Sequence, residues 1–177
     1  MPRAATHDVV TTALAAPAAG LVFLATGAVI PAVAAGFAFL FGGLMFGPDL
    51  DTPSRQYSRW TVFRFLWLPY RKFFRHRSRF SHGLLFGALL RVVYFLGAVT
   101  LTACAVLTVV SLVTGSQGLE MSAVADTWRA VGTFARTQLG WTNIGAVFFG
   151  LWAGAASHTF TDMVGSYIRT GRVIDYL

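Results

Sequence analysis

The sequence predicts an all-α fold: an integral membrane helical bundle of about four transmembrane helices, with a basic aromatic interfacial segment and one amphipathic surface helix. Three observations carry this. Of the 177 residues, 55% are hydrophobic and only 12% charged, at a mean hydropathy of +0.62, whereas an ordinary soluble domain is about 25% charged. Several uncharged apolar stretches approach or exceed the length of about 20 residues that crosses a bilayer core of about 30 Å. The basic residues concentrate between these stretches instead of spreading over a surface. The composition excludes a disordered chain, and the length predicts one membrane domain over residues 1–177. The single cysteine, Cys104, excludes an intramolecular disulfide framework and a cysteine-rich zinc finger.

Residues 9–30 form the first predicted helix, kinked at Pro17. Pro31 marks a turn, and residues 32–47 form a second helix of marginal spanning length. A cleaved signal peptide is the competing interpretation of this region, but the apolar run continues through Phe46 with no polar mature domain behind it. Residues 83–114 form the third and longest helix, interrupted only by Arg91, and residues 141–164 the fourth. Between them, over 119–139, Leu119, Val124, Trp128, Val131 and Phe134 recur at near-helical spacing among Glu120, Asp126, Arg129 and Arg136. That pattern predicts an amphipathic helix on the bilayer surface, with a partly helical loop as the alternative. Small residues such as Gly20, Gly27, Gly36, Gly145, Gly150 and Gly154 suit close helix packing or a homo-oligomer contact.

Residues 48–82 are the interfacial segment. Within 55–79 stand Arg55, Arg59, Arg64, Arg71, Lys72, Arg75, Arg77 and Arg79 with no acid among them, interleaved with Trp60, Phe63, Phe65, Trp67, Tyr70, Phe73 and Phe74. Such a stretch suits anionic lipid headgroups, and the bias of basic residues places it in the cytoplasm. Interleaved basic and aromatic residues also occur in nucleic-acid binders, but in so apolar a chain no nucleic-acid partner is expected.

The four histidines and most aspartates sit at helix ends. His7 and Asp8 precede the first helix; Asp49 and Asp51 follow the second; His76 and His82 precede the third; His158 and Asp162 close the fourth. Counting four crossings puts all of them on one side, the cytoplasmic side given by the arginines. Imidazole and carboxylate together suit zinc, with manganese or another divalent ion as alternatives. His158 and Asp162, four apart, share a helix face. His7, Asp49, Asp51, His76, His82, His158 and Asp162 are therefore candidate ligands for one or two ions. Asp8 is read as a helix cap.

These residues also carry a resemblance. The run Phe41-Gly42-Gly43-Leu44-Met45-Phe46-Gly47-Pro48-Asp49-Leu50-Asp51, then Ser54-Arg55-Gln56-Tyr57 and Arg59-Trp60, resembles a family of small bacterial membrane proteins described as metal-binding. Trp67-Leu68-Pro69-Tyr70-Arg71-Lys72, His76-Arg77-Ser78, Ser81-His82-Gly83, Thr6-His7-Asp8 and His158-Thr159-Phe160-Thr161-Asp162 continue it. The resemblance implies a multi-pass protein of the bacterial inner membrane. The early His, Asp-x-Asp and late His-x-x-x-Asp are more distantly similar to inner-membrane metal-dependent hydrolases called LexA-binding, and to zinc-dependent phospholipase C and P1-type nucleases. That similarity implies hydrolysis of phosphate esters. No Glu-x-x-x-His pairing is present, so one or two ions are expected rather than three.

The expected function is metal-assisted hydrolysis of a phosphoester or lipid-like substrate at the cytoplasmic membrane face. Asp49 or Asp51 would act as general base, and Arg75, Arg77 or Arg79 would hold phosphate bidentately. A phosphohistidine route like that of phosphatidic-acid phosphatases fits poorly, because Ser81-His82-Gly83 stands in the wrong order. The non-enzymatic alternative is a metal-binding membrane protein with a structural, sensing or storage role.

Overall fold

A computed structural model describes residues 3–74, 83, 86–115 and 120–171, and every regular element among them is helical. Helix α1 is Ala4–Thr26 and α2 is Val29–Leu44. The first helix thus begins and ends several residues earlier than the apolar pattern predicted. No breaker separates Ala4 from residue 9, so His7 and Asp8 lie within its first turns and do not precede it. Its end is fixed by Gly27, in the left-handed region at φ 65°, whose N–H returns to the Phe23 carbonyl. Pro31 does not form the turn. It sits in the first turn of α2, where a missing N–H costs nothing.

After α2 the chain folds into short helical pieces: a 3-10 turn Pro48–Asp51, α3 Arg55–Ser58, a 3-10 stretch Thr61–Trp67, and α4 Leu68–Phe73. Long helix α5 covers Phe86–Thr114. Helix α6, Met121–Phe134, buries no residue, and passes through a π-helical turn Ala135–Leu139 into α7, Gly140–Thr170. An apolar cleft of about 330 Å³ separates α6 from α5.

Among the described residues, three helices are long and apolar enough to cross a membrane: Ala4–Thr26, Phe86–Thr114, and α2 with its continuation, Val29–Asp51. The fourth predicted span, α7, is 31 residues long but is not among them. The reason is that its C-terminal half carries buried Ser157, His158, Thr159, Thr161, Asp162 and Ser166.

The helices α1, α2 and α7 pack together through small side chains. Ala15, Ala18, Val22, Ala32, Ala35 and Ala146 are buried between them. A Cβ on Gly150 would strike the Ala35 carbonyl, one on Gly154 the Phe39 carbonyl, and one on Gly42 would come within 3.0 Å of Leu151 Cα. Backbone-to-backbone approach of this kind is how helices associate where apolar burial offers little gain. Gly20 and Gly145, by contrast, face open space. The order of contacts shows α2 and α7 running parallel and α1 antiparallel to both.

The aromatic residues of the basic segment divide. Phe63, Phe65 and Phe73 are exposed, but Trp60, Trp67 and Tyr70 turn inward with Phe46, against Tyr94 and Phe95 of α5. The Tyr94 hydroxyl donates to the Leu66 carbonyl and accepts from the Tyr70 N–H. Only part of this segment is therefore available to headgroups. Arg91, the lone charge of the third helix, is buried beside Tyr70.

Candidate metal centre

The centre lies where α1 starts, α2 ends and the second half of α7 passes. On α7, Gly150, Gly154, His158 and Asp162 recur every four residues and form one stripe. The glycines bring α7 onto α2, and one turn later the stripe presents His158 and Asp162 to the turn that follows α2. On α1, His7 and Thr11 share a face. A Cβ on Gly43 would collide with the Thr11 side chain, so the missing side chain there admits Thr11, whose Oγ1 lies 3.5 Å from Ser157 Oγ. That contact sets the register that brings His7 to His158.

The two imidazoles stack, with centroids 3.8 Å apart at an interplanar angle of 12°. His7 Nε2 lies 3.3 Å from Asp162 Oδ1, and His158 Nε2 lies 3.2 Å from Asp49 Oδ2 and 3.8 Å from Asp162 Oδ2. His7, His158 and Asp162 are all buried, and one ligand atom from each falls within 4.8 Å of the others, so together they can hold a metal ion. Tetrahedral coordination with ligands about 2.0–2.2 Å from the ion places ligand atoms about 3.3–3.6 Å from one another, and the observed separations bracket that range. His158 Nε2 is buried and makes no hydrogen bond among the described residues. An orphaned buried nitrogen beside two carboxylates is a poor interior for a protein without a cation. The donor set and its spacing fit a divalent metal.

Gln56 organises this corner. Its Oε1 accepts from the Asp49 N–H at 3.1 Å, and its Nε2 donates to the Gly43 carbonyl at 2.7 Å while facing His158 Nδ1 at 3.1 Å. The two backbone bonds fix the amide orientation, so Nδ1 is the accepting nitrogen and a neutral ring carries its proton on Nε2. A cation entering there takes the place of that proton. Gly47 is required for this arrangement, because a Cβ on it would collide with the Gln56 amide.

A cavity of about 220 Å³ opens beside the centre, and Asp8, Asp49, Arg55 and Arg59 line it along with the ligand side chains. Asp8 is not a cap. Its Oδ2 accepts from Arg59 at 2.7 Å and lies 3.2 Å from Arg55.

The predicted residues are thus distributed as follows. His7, Asp49, His158 and Asp162 come together. Asp51 belongs to the same 3-10 turn as Asp49, is buried, and interacts electrostatically with Tyr70 and Arg91. Burial pushes the Tyr70 phenol above its ordinary range, and the nearby Arg91 charge offsets part of that rise. His76, His82, Arg75, Arg77 and Arg79 lie outside the described residues. Gln56, Arg55, Arg59 and the pairing role of Asp8 were not foreseen. Their importance rests on contacts as distant as 102 residues along the chain, and no local spacing announces them.

No curated protein and no solved structure matches the chain. A family model matches residues 2–172, so the chain belongs to the family described as Uncharacterized metal-binding protein (DUF2227).

Proposed function

We propose that the protein is a membrane-embedded, divalent-metal-dependent hydrolase that acts on a phosphoester or lipid-like substrate at the cytoplasmic face of the bacterial inner membrane, with zinc as its ion. The observation that carries this proposal is the meeting of His7, Asp49, His158 and Asp162 at coordination-edge distances beside a polar cavity. The similarity of the His, Asp-x-Asp and His-x-x-x-Asp order to metal-dependent phosphoesterases supports it. A bound divalent ion supplies hydroxide at neutral pH by bringing the pKa of its water to about 7.

The protein's own groups do the rest. Asp162 and the stacked imidazoles are buried and hold position. Asp49 is the carboxylate on the cavity side, with its side chain 27% exposed, and takes the proton from the attacking water. Asp51, with His76 and His82 of the resemblance, supplies the ligands for a second ion. The exposed aromatics Phe63, Phe65 and Phe73, with the basic residues around them, rest among anionic headgroups.

The test is phosphate release from phosphatidic acid or a soluble phosphomonoester by detergent-solubilised protein, before and after chelation and zinc reloading. Hydrolysis that chelation abolishes, that zinc restores, and that Asp49→Asn lowers by a factor of about 10² or more is the expected result. A rate unmoved by chelation would support the phosphohistidine route. Full metal occupancy with no hydrolysis would favour a structural ion, a role suggested by the burial of three ligands drawn from the two ends of the chain.

A further inference from the structure

Two arginines reach the cavity beside the candidate centre and are not used by its ligands. Arg59 is immobilised: Nη1 donates to the Leu44 carbonyl and Nη2 to Asp8 Oδ2, both at 2.7 Å. Arg55 Nη1 lies 3.2 Å from the same Asp8 oxygen, and its side chain is 57% exposed. Asp8 therefore holds two guanidiniums side by side at the mouth. The nearby hydroxyl of Ser54 is already engaged, donating to the Asp49 carbonyl and accepting from the Tyr57 N–H. Arg55 has five N–H donors, of which the structure directs one group at Asp8.

Charge decides what such a pocket attracts. The described lining carries three carboxylates, Asp8, Asp49 and Asp162, against the two arginines, a formal net charge of −1 for these five side chains. A divalent ion reverses it to +1. Without metal the pocket draws a cation; with metal it draws an anion. About 220 Å³ leaves room for a tetrahedral oxyanion.

Resting on the metal reading above, we infer that Arg55 is the substrate-binding residue for a phosphate group. Asp8 keeps its guanidinium at the cavity mouth beside the anchored Arg59, and the anion binds more tightly to the metal-loaded protein. Guanidinium matches phosphate bidentately, and the high exposure of Arg55 leaves it free to swing onto the ligand.

The probe is inorganic phosphate, titrated by calorimetry into the full-length protein in phosphatidylcholine nanodiscs, with zinc content measured on every sample. Wild type loaded with zinc is expected to bind phosphate at least tenfold more tightly than the chelated protein. Arg55→Gln is expected to keep its zinc and lose at least tenfold in phosphate affinity, with Arg55→Lys recovering part of it. Zinc-loaded wild type that ignores phosphate, or an Arg55→Gln protein that binds it equally well, overturns the inference and leaves the metal centre standing. Protein that takes up no zinc overturns both. Nanodiscs containing phosphatidic acid identify the source: competition with phosphate assigns the pocket to a lipid headgroup, and its absence to a soluble phosphate ester. Arg55 is the clamp in either case.

Discussion

His158 touches every other part of the candidate centre: the His7 ring across a stack, Asp49 and Asp162 through Nε2, and Gln56 through Nδ1. Removing it therefore does more than delete one ligand. His158→Ala and Asp162→Asn are expected to lower metal affinity by a factor of at least about 10 each, read as metal retained after desalting. Gln56→Leu is expected to cost about 1–3 kcal/mol by orphaning the buried Gly43 carbonyl, read as a lower melting temperature. The pair His158 and Asp162 was legible from spacing alone, because four residues on a helix share a face. His7 needed more: only the count of crossings put it on the same side. Gln56 was not legible, since a neutral amide is singled out by what it bridges and not by its own chemistry. Asp8 was misjudged for a related reason. A carboxylate near a helix start suits a cap, and only the fold shows that the start lies earlier and that Arg55 and Arg59 take the charge.

The helices place these residues through glycine. Gly150 and Gly154 let α7 lie against the carbonyls of Ala35 and Phe39, and the stripe they begin ends in the candidate ligands. Gly154→Val is expected to cost about 1–3 kcal/mol by overpacking and to lower metal retention with it. Gly145→Ala, on the same helix but facing open space, is the control and should change neither. Sequence alone placed all four long helices within several residues. It matched the end at Thr114 but misplaced those at Thr26 and Thr170, because hydropathy changes gradually where a left-handed glycine such as Gly27 or Gly171 ends a helix abruptly. It also could not separate the glycines that touch a neighbour from those that do not. The basic segment looked uniformly interfacial, yet Trp60, Trp67 and Tyr70 seal the space between the chain after α2 and α5.

At the scale of the whole molecule, apolar helix faces surround a small polar core at one end of the bundle. Leu14, Leu21, Phe23 and Leu24 of α1 and Phe37 and Phe41 of α2 are exposed, a distribution that suits lipid and not water. The proposed orientation predicts which end faces the cytoplasm. In a Cys104→Ser background, Ser58→Cys, near the centre, should resist a membrane-impermeant maleimide added outside spheroplasts. Thr26→Cys, at the far end of α1, should react. The reverse pattern would place the centre on the outer face. All of this depends on whether the cluster holds an ion, and the metal-to-protein ratio of the purified protein asks that most directly. Elemental analysis should find at least about one divalent transition metal, zinc foremost, per chain in wild type and far less in His158→Ala. A metal-free wild type, or a ratio that His158→Ala leaves unchanged, would contradict the account.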